Sequence, residues 1–102
     1  MKASELTDLI KIWAMDRDLH KAAPEKQMLK LMEEVGELAQ GMAKGNQEQV
    51  IDSVGDVYVV LTILSMQIDL DIEDCIEQAY VEIADRKGKM VNGVFVKEED
   101  LQ

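Results

Sequence analysis

The run Met28-Leu29-Lys30-Leu31-Met32-Glu33-Glu34-Val35-Gly36-Glu37-Leu38-Ala39-Gln40-Gly41-Met42 decides how this chain folds. Met28, Leu31, Met32, Val35, Leu38, Ala39 and Met42 recur at three- and four-residue intervals, the period of a helix with one apolar stripe and not of a strand. Upstream, Pro24 suits a first helical turn, where its missing N–H costs nothing. Downstream, Gly45 is a stop. Before this helix, Ser4 reads as the N-cap of another that runs to Arg17, with Leu6, Leu9, Ile10 and Trp13 on one face. After it, Asn46 followed three residues later by Gln49 resembles a capping box. The helix it opens is amphipathic at first and apolar almost all round from Val57 to Leu64. β-Branched residues make a strand the competitor there, but the pattern reaches back through Val50 and Val54 for several turns, and length decides for a helix. A helix apolar on every side must be surrounded by protein. Asp71 is placed as the cap of a fourth helix, with Ile72, Cys75, Ile76, Ala79 and Ile83 inward and Gly88 at its end. Asn92-Gly93 between two short apolar runs is the strongest local signal for a tight hairpin. The predicted architecture is a single all-α domain over 1–102, a four-helix bundle (about 4–88) with a short C-terminal β-hairpin (89–97).

Charge narrows the function. The chain has 102 residues, with 11 Lys and Arg against 21 Asp and Glu, a formal net charge of −10. That excess argues against holding duplex nucleic acid or an anionic membrane, since both need a positive footprint. A polyanionic substrate must be met by a divalent cation or a local cluster of bases. One cysteine, Cys75, and one histidine, His20, exclude a disulfide framework, a Cys-based zinc site and a multi-His metal site within one chain. Cys75 reads as core and His20 as a solvated residue in a connection. The apolar stretch Val57–Met66 falls short of a membrane span, and Met1–Leu9 lacks the apolar region of a signal peptide. The expectation is a soluble, reduced, cytoplasmic protein.

The acids carry the chemistry. At about 100° per residue, Glu34 and Glu37 fall on one face, Glu34 at the border of the apolar stripe and Glu33 towards solvent. Lys30 sits one turn before Glu34 and can pair with it. On the third helix Asp52 and Asp56 are one turn apart, and their stripe continues into Val59 and Ile63. Lys and Arg are absent from that helix. Burying Asp56 unpaired would cost several kcal/mol, roughly, so its partner comes from another segment or is a cation. If the two helices are antiparallel neighbours, Glu34 and Glu37 can face Asp52 and Asp56. Oxygen-only ligands suit Mg²⁺ or Mn²⁺ and not zinc. Gly36 and Gly55, each about 1 kcal/mol costlier than Ala inside a helix, are read as points of close backbone approach. The competing reading is a non-catalytic helical interaction module whose acids form a solvated face.

Glu33-Glu34-Val35-Gly36-Glu37-Leu38, followed by Val54-Gly55-Asp56-Val57, resembles the MazG-like all-α nucleoside triphosphate pyrophosphohydrolases, marked by Glu-x-x-Glu on one helix and Glu-x-x-Asp on the next. The similarity extends to Trp13-Ala14, Arg17, Lys30-Leu31 and Arg86-Lys87-Gly88-Lys89. One position departs: Ser53 stands where the family has Glu, and Asp52 is one residue earlier. The resemblance implies Mg²⁺-dependent hydrolysis between the α and β phosphates, giving a nucleoside monophosphate and pyrophosphate. It implies Glu34, Glu37 and Asp56 as metal ligands with Asp52 or Glu33 assisting, and Glu34 or Glu37 orienting the attacking water. Lys30, Arg86, Lys87 and Lys89 are the candidate phosphate contacts, and Lys26 is read as a surface-pairing lysine. Trp13 is a candidate for stacking on the base, although it also fits the apolar stripe of the first helix. A homodimer or homotetramer is expected, because a bundle of this length leaves Val59, Val60, Ile63 and Val81 to be covered.

Overall fold

The computed structural model describes residues 1–101. It contains four α-helices, α1 (Ala3–Asp16), α2 (Pro24–Lys44), α3 (Gln47–Gln67) and α4 (Ile72–Ala84), then a two-stranded antiparallel hairpin, β1 (Gly88–Val91) and β2 (Val94–Lys97). Short 3₁₀ turns occupy Leu19–Lys21 and Glu98–Asp100. The class is therefore all-α with an appended hairpin, as the sequence predicts. The chain divides into two compact units, Met1–Ile72 and the segment from Glu73 onward.

In the first unit α3 packs along α2 and also against α1. Pro24 opens α2, and Gly45 closes it in the left-handed region at φ 67°, a conformation glycine adopts without penalty. Asn46 caps α3 by accepting the Gln49 backbone N–H at 3.1 Å. The reciprocal half of the predicted capping box is not made. The Gln49 side chain instead donates to the Glu37 carbonyl (2.9 Å) and the Gln40 amide oxygen (3.2 Å), tying the start of α3 to α2.

Several sequence expectations move. The α1 helix begins at Ala3 after Lys2, not with a Ser4 cap. Its buried residues are Thr7 and Ala14, one step around from the expected face, and Leu6, Leu9 and Trp13 stay about half exposed. Small residues allow the helices to approach there, and the Thr7 hydroxyl is satisfied: it donates to the Ala3 carbonyl (2.9 Å), which leaves the Tyr58 hydroxyl to donate to it (2.6 Å). On α2 the packed line is Gln27, Leu31, Glu34, Leu38 and Gly41, while Met28, Met32, Val35 and Met42 remain exposed. Close approach occurs neither at Gly36 nor at Gly55, where a Cβ would meet nothing within 4 Å. It occurs at Gly41, where a Cβ would lie 3.1 Å from Gln49 Cγ and 3.2 Å from Val50 Cγ2. His20 is half-buried in the first 3₁₀ turn with Nδ1 shielded and unpartnered, so it is not a solvated linker residue. By length and mean hydropathy (1.4), α3 is one helix able to cross a membrane, a property shared by the central helices of water-soluble proteins.

In the second unit α4 ends at Ala84, and Gly88 begins β1 instead of ending the helix. Ile72 is buried, but Cys75, Ile76 and Ile83 are exposed, contrary to the core reading. The hairpin matches its signal: Val91 pairs with Val94, and Asn92 and Gly93 both take positive φ (52° and 81°), as a tight two-residue turn requires.

Candidate active site

Glu34 lies at the centre of the packed line of α2, between Leu31 and Leu38, and is 5% exposed. A carboxylate this sheltered needs partners. Lys30, one turn earlier, reaches Glu34 Oε1 at 3.2 Å and Glu33 at 3.6 Å. Its hydrogen bond to Glu34 and the charges of Glu34 and Glu33 raise the Lys30 pKa. The other oxygen, Oε2, is shielded from solvent and has no hydrogen-bond partner.

Asp56 comes from α3 and is half-buried. Its carboxyl is pushed above the usual aspartate range, first by desolvation, then by the negative charges of Glu34 and Asp52, against which Lys30 acts weakly. Glu34 from α2 and Asp52 from α3 therefore both press negative charge on Asp56, with one lysine to offset them. This is the charge imbalance the sequence places between α2 and α3.

The rest of the predicted set distributes differently. Asp52 is exposed yet close enough to act on Asp56. Ser53, at the departing position, is 2% exposed and points into the packed interior. Glu33 and Glu37 have exposed side chains. No three His, Cys, Asp or Glu residues among those described converge tightly enough to hold a metal by themselves. The donors nonetheless fit Mg²⁺, an ion that keeps several waters and is commonly bound by one or two carboxylates together with substrate phosphates. A buried, unpartnered carboxylate oxygen and the mutual repulsion at Asp56 are what a hard cation would relieve.

Beside these acids is a hollow of about 490 Å³, walled by Trp13, Leu19, Ala22, Val59, Val60 and Ile63, with Lys26, Gln27, Lys30 and Gln67 also lining it. Volumes of about 300–1,000 Å³ with apolar walls and a few polar groups are typical of small-ligand sites. Lys30 belongs both to this wall and to the Glu34 pair. Trp13 is 47% exposed, with the Arg17 guanidinium 4.2 Å from its ring centroid. Trp13 is thus a cavity wall and not a core residue. Sequence reading missed Leu19, Gln27 and Gln67. The available signal was an amide, Gln67, ending an otherwise apolar helix.

Arg86, Lys87 and Lys89 lie in the second unit. There Arg86 pairs with Glu82 at 3.4 Å, and Arg86, Lys87 and Lys97 share a shallow hollow of about 400 Å³ with Asp85, Glu98 and Glu99. Acids and bases balance in it, so its own charge gives no preference for phosphate.

Comparison with known proteins adds an independent line. The family described as the MazG nucleotide pyrophosphohydrolase domain matches residues 22–91. A protein from the rep–hol intergenic region of Haemophilus phage HP1 (strain HP1c1), described as an uncharacterized 18.2 kDa protein, is 46% identical over 68 residues. The aligned part is 66% of this chain and 42% of the phage protein, so this chain covers less than half of that relative's length. No solved structure matches.

Proposed function

The chain belongs to the MazG nucleotide pyrophosphohydrolase family, and from that premise we propose that it hydrolyses nucleoside triphosphates at the α–β bond with Mg²⁺, Mn²⁺ serving as a substitute. The observation that carries the reading is Glu34. It is a buried carboxylate with one oxygen held by Lys30 and the other unpartnered, set against Asp56 at the edge of a nucleotide-sized hollow.

Glu34, Asp56 and Asp52 would hold the ion, with Glu37 and Glu33 at the exposed margin. When bound, Mg²⁺ supplies charge neutralisation for the phosphates and Lewis acidity towards water. Lys30 contributes a second positive charge beside the leaving phosphates, and the base lies against Trp13. In the reaction a water oxygen bonds to the α-phosphorus while the bond from that phosphorus to the α–β bridging oxygen breaks. Pyrophosphate departs with the bridging oxygen, and Glu37, at the exposed margin beside the carboxylates that would hold the ion, accepts the water's proton. Lysines and metal together let a protein of charge −10 accept an anionic substrate.

We also propose assembly as a homodimer or homotetramer, a cytoplasmic location, and a role in clearing surplus or non-standard nucleotides. Assembly is supported by exposed apolar surface: Leu6, Leu9, Ile10, Trp13 and Val59 line a second apolar hollow of about 340 Å³, and Tyr80 and Val81 are each 64% exposed. Val60 and Ile63, expected to need cover, are already buried.

The test is a panel of ribo- and deoxyribonucleoside triphosphates with Mg²⁺, scoring pyrophosphate against orthophosphate. Pyrophosphate should be released, Glu34→Gln should abolish it with the helical fold retained, and the single tryptophan's fluorescence should report binding. Orthophosphate as the first product would move the cleaved bond. No Mg²⁺-dependent product from any nucleotide would leave the interaction-module reading in its place.

A further inference from the structure

At the far end of α3, Gln67 lines the hollow that Trp13 and Lys30 share. Its amide orientation is fixed from one side, because Nε2 donates to the Leu19 carbonyl at 2.9 Å. Its oxygen, Oε1, is closed off from solvent and has no hydrogen-bond partner. A shielded acceptor left unpaired is a standing cost that a correctly placed donor removes. Leu19, Val59, Val60 and Ile63 offer no donor, and the donors elsewhere in the lining, on Trp13, Lys26, Gln27 and Lys30, make no bond to Oε1. A donor brought in by a ligand that fills the hollow is the group able to pair Oε1.

We infer that Gln67 is a specificity-determining residue whose amide oxygen selects nucleotides with an amino group on the base edge over their keto counterparts. The inference rests on the proposed nucleotide reading of this hollow. An exocyclic amino group donates to Oε1. A keto oxygen at the same place sets two acceptors against each other and leaves Oε1 unpaired. Sites built around one buried hydrogen-bonding group discriminate far better than apolar pockets that sense shape alone. Lys30 cannot supply this discrimination, because it meets phosphate charge, which is the same in every triphosphate. Trp13 cannot supply it either, since a ring face stacks on any base. Gln67 takes no part in bond cleavage, so its effect belongs in KM and not in kcat.

The experiment compares ATP with ITP and CTP with UTP, pairs that differ at one amino or keto group, on the full chain with saturating Mg²⁺. Wild type should favour the amino member of each pair by about tenfold or more in kcat/KM, carried by KM. Gln67→Met keeps the side chain's length and removes the acceptor, and should bring both ratios close to one while pyrophosphate is still released. Gln67→Glu keeps an acceptor at this position and should retain the amino preference although it loses the bond to Leu19. Equal use of amino and keto partners by wild type overturns the inference, a result independent of whether any variant folds. So does an amino preference that survives unchanged in Gln67→Met. Turnover without discrimination defeats this inference alone, whereas no pyrophosphate from any of the four nucleotides defeats the parent reading with it.

Discussion

Three glycines on α2 and α3 give opposite answers to the same substitution. At Gly36 and Gly55 an added Cβ meets nothing within 4 Å. Alanine there gains helix propensity without a clash, about 1 kcal/mol each, or roughly 4–8 °C in Tm for a domain of this size. At Gly41 the same Cβ would sit 3.1 and 3.3 Å from Gln49 side-chain carbons and 3.2 Å from Val50 Cγ2. Gln49 cannot simply swing away, because its amide is held by the Glu37 carbonyl and Gln40. Overpacking of this kind costs about 1–3 kcal/mol. Gly36 and Gly41 share a helix, so the propensity gain cancels in their comparison. Gly41→Ala should therefore fall below Gly36→Ala by about 1–3 kcal/mol, the overpacking cost alone. Urea and thermal unfolding followed by circular dichroism measure the difference. A Gly41→Ala protein as stable as Gly36→Ala would refute the close approach. A destabilised Gly36→Ala or Gly55→Ala would mean that something packs against those positions in solution.

Asp56→Asn tests the crowded acids through pH. An acid whose folded pKa is raised keeps its proton in the native state after the unfolded chain has lost it. Stability of the metal-free protein therefore falls as pH rises from the ordinary aspartate range through the raised folded value, and stays lower above it. The Asn variant should flatten that fall, gain stability at neutral pH without metal, and lose both Mg²⁺-dependent stabilisation and pyrophosphate release; an unchanged pH profile would show that Asp56 is not strained by its neighbours. Assembly is tested by light scattering at micromolar concentration, where a mass of two or four chains is expected. A monomer of 11.5 kDa would remove the oligomer from the proposal.

The helices were legible where a local rule decides them. Pro24, Gly45, Asn46 and Asn92-Gly93 each do what their backbone chemistry requires. Faces were less legible. The methionine stripe of α2 and its packed line share Leu31 and Leu38 but diverge elsewhere. Hydrophobic periodicity finds where apolar residues lie, whereas packing also depends on which residues are short enough to let a neighbour close in. Gly41 against Val50 and Thr7 against Tyr58 are such places, and neither is hydrophobic by pattern. The expected facing of Glu34 and Asp56 reappears in space because a short turn joins α2 to α3. Gln67 stayed hidden because its importance comes from the 3₁₀ turn at Leu19, 48 residues away in the chain.

Glu34 is where these arguments meet. Its position on α2 is one that packing alone would fill with leucine, in line with Leu31 and Leu38. Replacing buried ionic groups with well-fitted apolar ones is often neutral or stabilising, so fold stability gives no reason for a carboxylate there. A solvated acidic face gives none either, since Glu34 is not solvated. The placement makes physical sense if the acid is held unsatisfied for a ligand. Lys30 takes one oxygen, the second stays open, and Asp56 and Asp52 add negative charge that α3 has no base to cancel. Stability given up at one helix face is then the source of affinity for a cation and its phosphates.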